Sequence, residues 1–154
     1  MPTLTPFLWF EDQAEDAMNF YLSIFRNARP LGVDRWGPGA PFPEGSVLMA
    51  RVEIEGQEIQ LFNGGPEQKL TPAFSFTVAC KDQAEIDYYW DKLTADGGAE
   101  VACGWLTDKF GLSWQIVPEN IAELLAPPDP ATAERRMKAM MGMIKLDIAA
   151  LNAA

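Results

Sequence analysis

At 154 residues, 48% of them hydrophobic, the chain has the length of one ordinary domain and enough apolar matter to exclude wholesale disorder. Its 12 Lys plus Arg stand against 22 Asp plus Glu, a formal charge of −10 that repels phosphate backbones and anionic lipid surfaces; neither nucleic acid nor membrane is expected as a partner. There is no histidine, which removes imidazole acid–base chemistry and every metal site that needs imidazole.

Thr3 to Phe10 (TLTPFLWF) is the first strand candidate, with Pro6 implying an edge or a bulge. Asp12, with Glu15 three residues on, gives an approximate capping box for a helix whose apolar face is Ala17, Phe20, Tyr21 and Ile24. Arg29 to Arg35 is a second strand. Trp36 to Gly45 (WGPGAPFPEG) is too rich in Pro and Gly for regular structure and reads as a surface loop, a plain connection or a lid. Val47 to Ile54 and Gln57 to Asn63 form a hairpin about Glu55-Gly56. Pairing Ile54 with Gln57 sets Val52 by Ile59 and Ala50 by Leu61 on an apolar side. Arg51 by Gln60, Met49 by Phe62 and Glu53 by Glu58 then share the other side.

Gly64 to Ala73 reads as a linker, after which the pattern restarts. The strand FSFTVA has Ser75 and Thr77 on one side, and Asp82-Gln83-Ala84-Glu85 repeats Asp12-Gln13-Ala14-Glu15 before a helix with Ile86, Tyr89, Trp90 and Leu93 on one face. Gly97-Gly98 ends that helix. The run Gly104 to Pro118 (GWLTDKFGLSWQIVP) reads as strand, turn at Asp108 to Gly111, and strand. Leu112, Trp114 and Ile116 face the core, with Ser113 and Gln115 opposite. Trp105 is expected to face Trp114 on the core side, with Cys103 beside it, and Asp108 and Lys109 to be solvated turn residues. The tail holds a short helix, Ile121 to Leu125, and a long one, Ala131 to Leu151, with Met137, Met140, Met141, Ile144, Ile148 and Leu151 in a stripe for the core or for a second copy. Without an apolar run of membrane-span length or a signal-peptide pattern, the chain is expected to be cytoplasmic, with Cys80 and Cys103 reduced.

The runs DQAEIDYYWDKL and CGWLTDKFGLSWQIVP, with PFLWF and AEDAMNFYLSIF near the start, resemble the PhnB-like family of the vicinal oxygen chelate superfamily, whose members often carry the label 3-demethylubiquinone-9 3-methyltransferase. The resemblance implies an α+β fold of two βαβββ modules with curved mixed sheets: residues 1–63, a linker over 64–73, residues 74–118, and a helical tail over 119–154. It also implies a homodimer. Superfamily metal ligands would correspond to Thr5, Gln60, Ser75 and Gln115. Two amides and two hydroxyls bring no charge to offset a dication, so no metal is expected. Neither Gly37-Pro38-Gly39 nor Gly64-Gly65 has the strand–glycine–helix setting of an S-adenosylmethionine site, and no cofactor is expected.

The expected pocket is lined by Thr5, Phe7, Trp9, Arg51, Gln60, Ser75, Thr77 and Gln115. Two functions compete for it. In the first, an enzyme orients an oxygenated small molecule with Gln60, Gln115 and Arg51. In the second, a non-catalytic protein binds or sequesters a small molecule, the acidic charge favouring a cation. Arg51 buried away from carboxylates would favour the enzyme. A pocket walled by aromatic rings and acids would favour binding.

Overall fold

A computed structural model describes all residues from Met1 to Ala154, as two compact units, Met1–Leu70 and Thr71–Ala154. In the first unit, β1 (Phe7–Phe10), α1 (Ala14–Ile24), β2 (Ala28–Arg35), β3 (Val47–Ile54) and β4 (Gln57–Asn63) give a four-stranded sheet of order β1-β4-β3-β2. β1 runs parallel to β4 and the other neighbours are antiparallel. The hairpin register follows the apolar alternation: Ile54 opposite Gln57, Val52 opposite Ile59, Arg51 opposite Gln60. Its turn places Glu55 at φ 49 and Gly56 at φ 83, the two left-handed residues that match the twist of a two-residue hairpin.

One side of this sheet is covered by α1. Ala17, Tyr21 and Ile24 are buried on the helix, as are Ala50, Val52, Ile54, Ile59 and Leu61 on the strands. Each full-sized aliphatic so enclosed contributes about 1.5–3 kcal/mol relative to exposure. The start of α1 departs from the expected capping box. Its N-cap is Gln13, without a side-chain bond, and the Ala14 amide instead donates to Oδ1 of Asn63 at 2.8 Å. A residue at the end of β4 has taken the capping role, which ties the helix to the sheet and leaves Asp12 and Glu15 facing outward. β1 is also shorter than TLTPFLWF suggests. Pro6 has no amide to extend the ladder, though its carbonyl still accepts from the Gln60 amide at 3.0 Å.

The second unit repeats the order. β5 (Ser75–Cys80), α2 (Gln83–Thr94), β6 (Ala99–Glu100), β7 (Trp105–Thr107) and β8 (Ser113–Pro118) form a sheet ordered β5-β8-β7-β6, strand for strand the arrangement of the first. Here the aspartate does cap: Asp82 Oδ1 accepts from the Glu85 amide at 2.9 Å, and Ile86, Trp90 and Leu93 are buried on the helix. The β7–β8 register sets Leu106, not Trp105, opposite Trp114; Trp105 pairs with Gln115 on the other face. The left-handed residue Cys103 (φ 60) and Gly104 turn the chain just before β7, one residue out of phase with the expected alternation, and Cys103 is only half-buried. The expectation of a solvated Asp108 is also overturned. It is 2% exposed and accepts from the amides of Phe110 (2.9 Å) and Leu112 (3.1 Å) and from Nε1 of Trp114 (2.9 Å).

The tail holds α3 (Ile121–Leu125), α4 (Pro130–Met141) and α5 (Ile148–Ala153), so the long helix read from the methionine stripe is broken. Gly142 closes α4, whose final carbonyls its amide caps, and Asp147 caps α5 through the Ala150 amide at 3.0 Å. No residue of α4 is buried, while Leu146 and Leu151 are fully enclosed. Gln83, the glutamine of the repeated tetrapeptide, fastens this tail: its Nε2 donates to the Leu146 carbonyl at 3.0 Å and its Oε1 accepts from the Ile148 amide at 2.9 Å. Lys145 adds an ion pair to Asp87 at 2.8 Å, and the hydrogen bond from Lys145 holds the Asp87 carboxyl below its ordinary range. No helix is long and apolar enough to cross a membrane.

Candidate functional site

Three surfaces carry the groups capable of chemistry. On the first sheet, the face away from α1 carries a row of neighbours: Phe7, Gln60, Arg51 and Gly32. Glycine at 32 is what admits the arginine there, since a Cβ at that position would lie 2.7 Å from Nη2 of Arg51. Arg51 pairs with neither hairpin glutamate. Its Nε lies 3.5 Å from Oδ2 of Asp34 on β2, while Glu53 is taken by Arg29 at 3.0 Å. Trp9 stands one pair further along, its ring edge-on to Phe62 at 5.1 Å and its Nε1 donating to the Gly65 carbonyl at 2.8 Å. Thr5 precedes β1 and belongs to no strand.

On the second sheet, the face away from α2 is neutral and hydrogen-bonding. Thr77, Gln115 and Trp105 form one row; Ser75, Ser113 and Thr107 form the next. Gln115 Nε2 donates to Ser75 Oγ at 3.0 Å. Ser113 is 1% exposed and its hydroxyl has no partner, whereas Thr77 is exposed.

The third surface was not foreseen as a site. In the first unit a cavity of about 390 Å³ opens between the start of α1 and the 36–46 loop. Glu11, Asp12, Glu15 and Asp16 line it on one side, and Trp36 and Phe42 on the other, their rings stacked at 4.8 Å and 22°. Asn63 closes it with a side chain bonded both ways, accepting from Ala14 N and donating to the Val47 carbonyl at 3.2 Å. Arg35 fastens the loop through the Gly45 carbonyl at 3.1 Å and reaches Glu15 at 3.8 Å. Glu11, Asp12 and Asp16 have no ion-pair partner. Favourable placement at a helix N-terminus accounts for the carboxylates alone, not for two stacked rings against them.

The comparisons agree with this architecture. The family model described as 3-demethylubiquinone-9 3-methyltransferase matches residues 2–117. A PhnB protein from Bacillus cereus, titled a putative 3-demethylubiquinone-9 3-methyltransferase, is 35% identical, covering 75% of this chain and 99% of its own, with a TM-score of 0.68. Protein YjdN of Escherichia coli is 27% identical over 136 residues, 73% of this chain and 92% of that protein. The fosfomycin resistance protein FosX of Listeria monocytogenes, 16% identical with a TM-score of 0.61 over 81% of this chain and 97% of its own, shares the fold. The fold is thus that of the glyoxalase-like, vicinal oxygen chelate proteins. Within it, this chain belongs to the PhnB-like family that bears the 3-demethylubiquinone-9 3-methyltransferase description.

Neither group that these affiliations imply fits the residues present. The strand-to-helix turns are Glu11-Asp12-Gln13 and Lys81-Asp82, without the glycines that let a backbone approach a nucleotide-like cofactor. Gly37-Pro38-Gly39 leads into a loop, and Gly64-Gly65 is packed on Trp9 and Phe42. For a metal, Gln115 spends its amide on Ser75, Gln60 sits beside the cation Arg51, and no three His, Cys, Asp or Glu converge. Purified protein incubated with Mn, Fe, Ni or Zn and desalted is expected to retain far less than one ion per chain by elemental analysis; a stoichiometric ion surviving chelator would overturn this. Cys80 offers no nucleophile either, since burial pushes its thiol up to about 12.

Proposed function

We propose that this protein binds a small organic cation, capturing it rather than transforming it, in the cavity between Trp36, Phe42 and the carboxylates of Glu11, Asp12, Glu15 and Asp16. One observation carries the reading: acids and stacked rings meet across a cavity of about 390 Å³, within the size range of small-molecule sites. Aromatic faces attract cations through their quadrupole, and the three carboxylates that lack an arginine or lysine supply the countercharge. The chain's net charge of −10 raises the local cation concentration further. The enzyme reading loses its main support because the Arg51 guanidinium, 36% exposed, is already neutralised by Asp34.

Calorimetric titration with benzyltrimethylammonium tests this, with benzenesulfonate as the anionic control. The cation is expected to bind and the anion not, with affinity falling as salt rises, since the carboxylates are largely exposed. Trp36→Ala should weaken binding about tenfold, the scale of one partly desolvated cation–ring contact. Equal binding of both probes, or an affinity untouched by Trp36→Ala, would reject the proposal.

A further inference from the structure

We infer that the face of the second sheet turned away from α2 is a separate binding site for a neutral, planar carboxamide, built from Ser113, Gln115 and Trp105. The starting observation is the Ser113 hydroxyl, 1% exposed and without any hydrogen-bond partner. A buried hydroxyl without a partner is costly and rare in native proteins, so such a group points to something that completes it. Two residues along the same strand, Gln115 uses its Nε2 on Ser75 and has no donor to its Oε1. Opposite Gln115 stands Trp105, half-buried, with neither a ring partner nor a hydrogen bond for its indole.

These three groups are complementary to one kind of molecule. Side chains at positions i and i+2 of a strand point the same way about 7 Å apart, a span that one substituent and its attached ring can bridge. An amide carbonyl accepts from the Ser113 hydroxyl, the amide nitrogen donates to Gln115 Oε1, and an attached ring lies along the free indole. The Gln115–Ser75 bond fixes which end of the glutamine amide faces the ligand. No charged side chain occupies the two rows, Thr77–Gln115–Trp105 and Ser75–Ser113–Thr107, so an ion gains nothing there that it does not lose in desolvation. This is the same face on which a metal does not fit. The site is independent of the cation cavity and survives or fails separately from it.

Titration of the full-length protein with benzamide, followed by the indole N–H and side-chain amide signals in proton–nitrogen NMR, tests the inference. Benzamide is expected to shift the Trp105 indole and Gln115 amide signals, while benzoate at equal concentration does not. Ser113→Ala should weaken benzamide about tenfold, the loss of one hydrogen bond in a dry site. The same variant should keep or raise the melting temperature of the free protein, because it removes an unsatisfied hydroxyl. Undiminished benzamide affinity in Ser113→Ala would show that the hydroxyl serves only a water. A lowered melting temperature would show that it serves the fold. Either result, or no response to benzamide, overturns the inference, and none of them touches benzyltrimethylammonium binding.

Discussion

Asp108→Ala is expected to lower the unfolding free energy by about 4 kcal/mol, more than any other single polar substitution in the second unit. The carboxylate is 2% exposed and closes the turn from inside, taking the amides of Phe110 and Leu112 with one oxygen and the indole N–H of Trp114 with the other. Truncation strands two buried donors, Leu112 N and Trp114 Nε1, each costing roughly 1–3 kcal/mol, and removes the charge that strengthened all three bonds. The partly exposed Phe110 amide can turn to water and adds less. Asp108→Asn should fall between, because the asparagine nitrogen would meet the indole as donor against donor. Urea unfolding followed by circular dichroism measures both variants. A loss under about 1 kcal/mol for Asp108→Ala would show that the turn stands without its carboxylate.

That residue also marks where the sequence stopped being legible. The alternation Leu112, Trp114, Ile116 was readable because every second side chain of a strand shares a face, and all three are buried. The hairpin about Glu55-Gly56 was readable for the same reason, with a two-residue turn fixing its register. Asp108, in contrast, sits in a tetrapeptide whose composition says turn, and a turn aspartate is solvated unless a donor six residues away folds back onto it. The phase of Trp105 depended on a left-handed Cys103, which a non-glycine residue does not announce. The repeated tetrapeptide hid a difference too. Asp82 caps α2, whereas Asp12 does not cap α1, because Asn63, distant in sequence, reaches the Ala14 amide first. The acids so released line the cavity. Its signal was present as two Glu-Asp and Glu-Asp pairs at residues 11–12 and 15–16 and two aromatics in a Pro-Gly loop. Nothing local says that this loop folds back over that helix start.

Gly64→Ala carries the second large effect, and it links the first unit's packing to its cavity. A Cβ at this position would lie 2.4 Å from Cε2 and Cζ2 of the Trp9 indole and 2.5 Å from Cε2 of Phe62. Neither ring can yield cheaply. Trp9 is held by its bond to the Gly65 carbonyl at 2.8 Å, and Phe62 lies between Trp9 at 5.1 Å and Phe7 at 5.3 Å. Overpacking of this kind costs about 1–3 kcal/mol, and two pinned rings place it at the upper end of that range. Phe62 also lies edge-on to Trp36 at 6.2 Å, so its displacement reaches the aromatic wall of the cation cavity. Gly64→Ala is therefore expected to weaken benzyltrimethylammonium although residue 64 does not line the cavity. The steric origin is separable from a general loss of stability by adding Trp9→Leu, which vacates the space that the new methyl needs. Urea unfolding should show the double variant at least about 1 kcal/mol more stable than the sum of the single effects predicts, a coupling typical of residues in contact. Strict additivity would mean that the glycine serves the backbone rather than the rings.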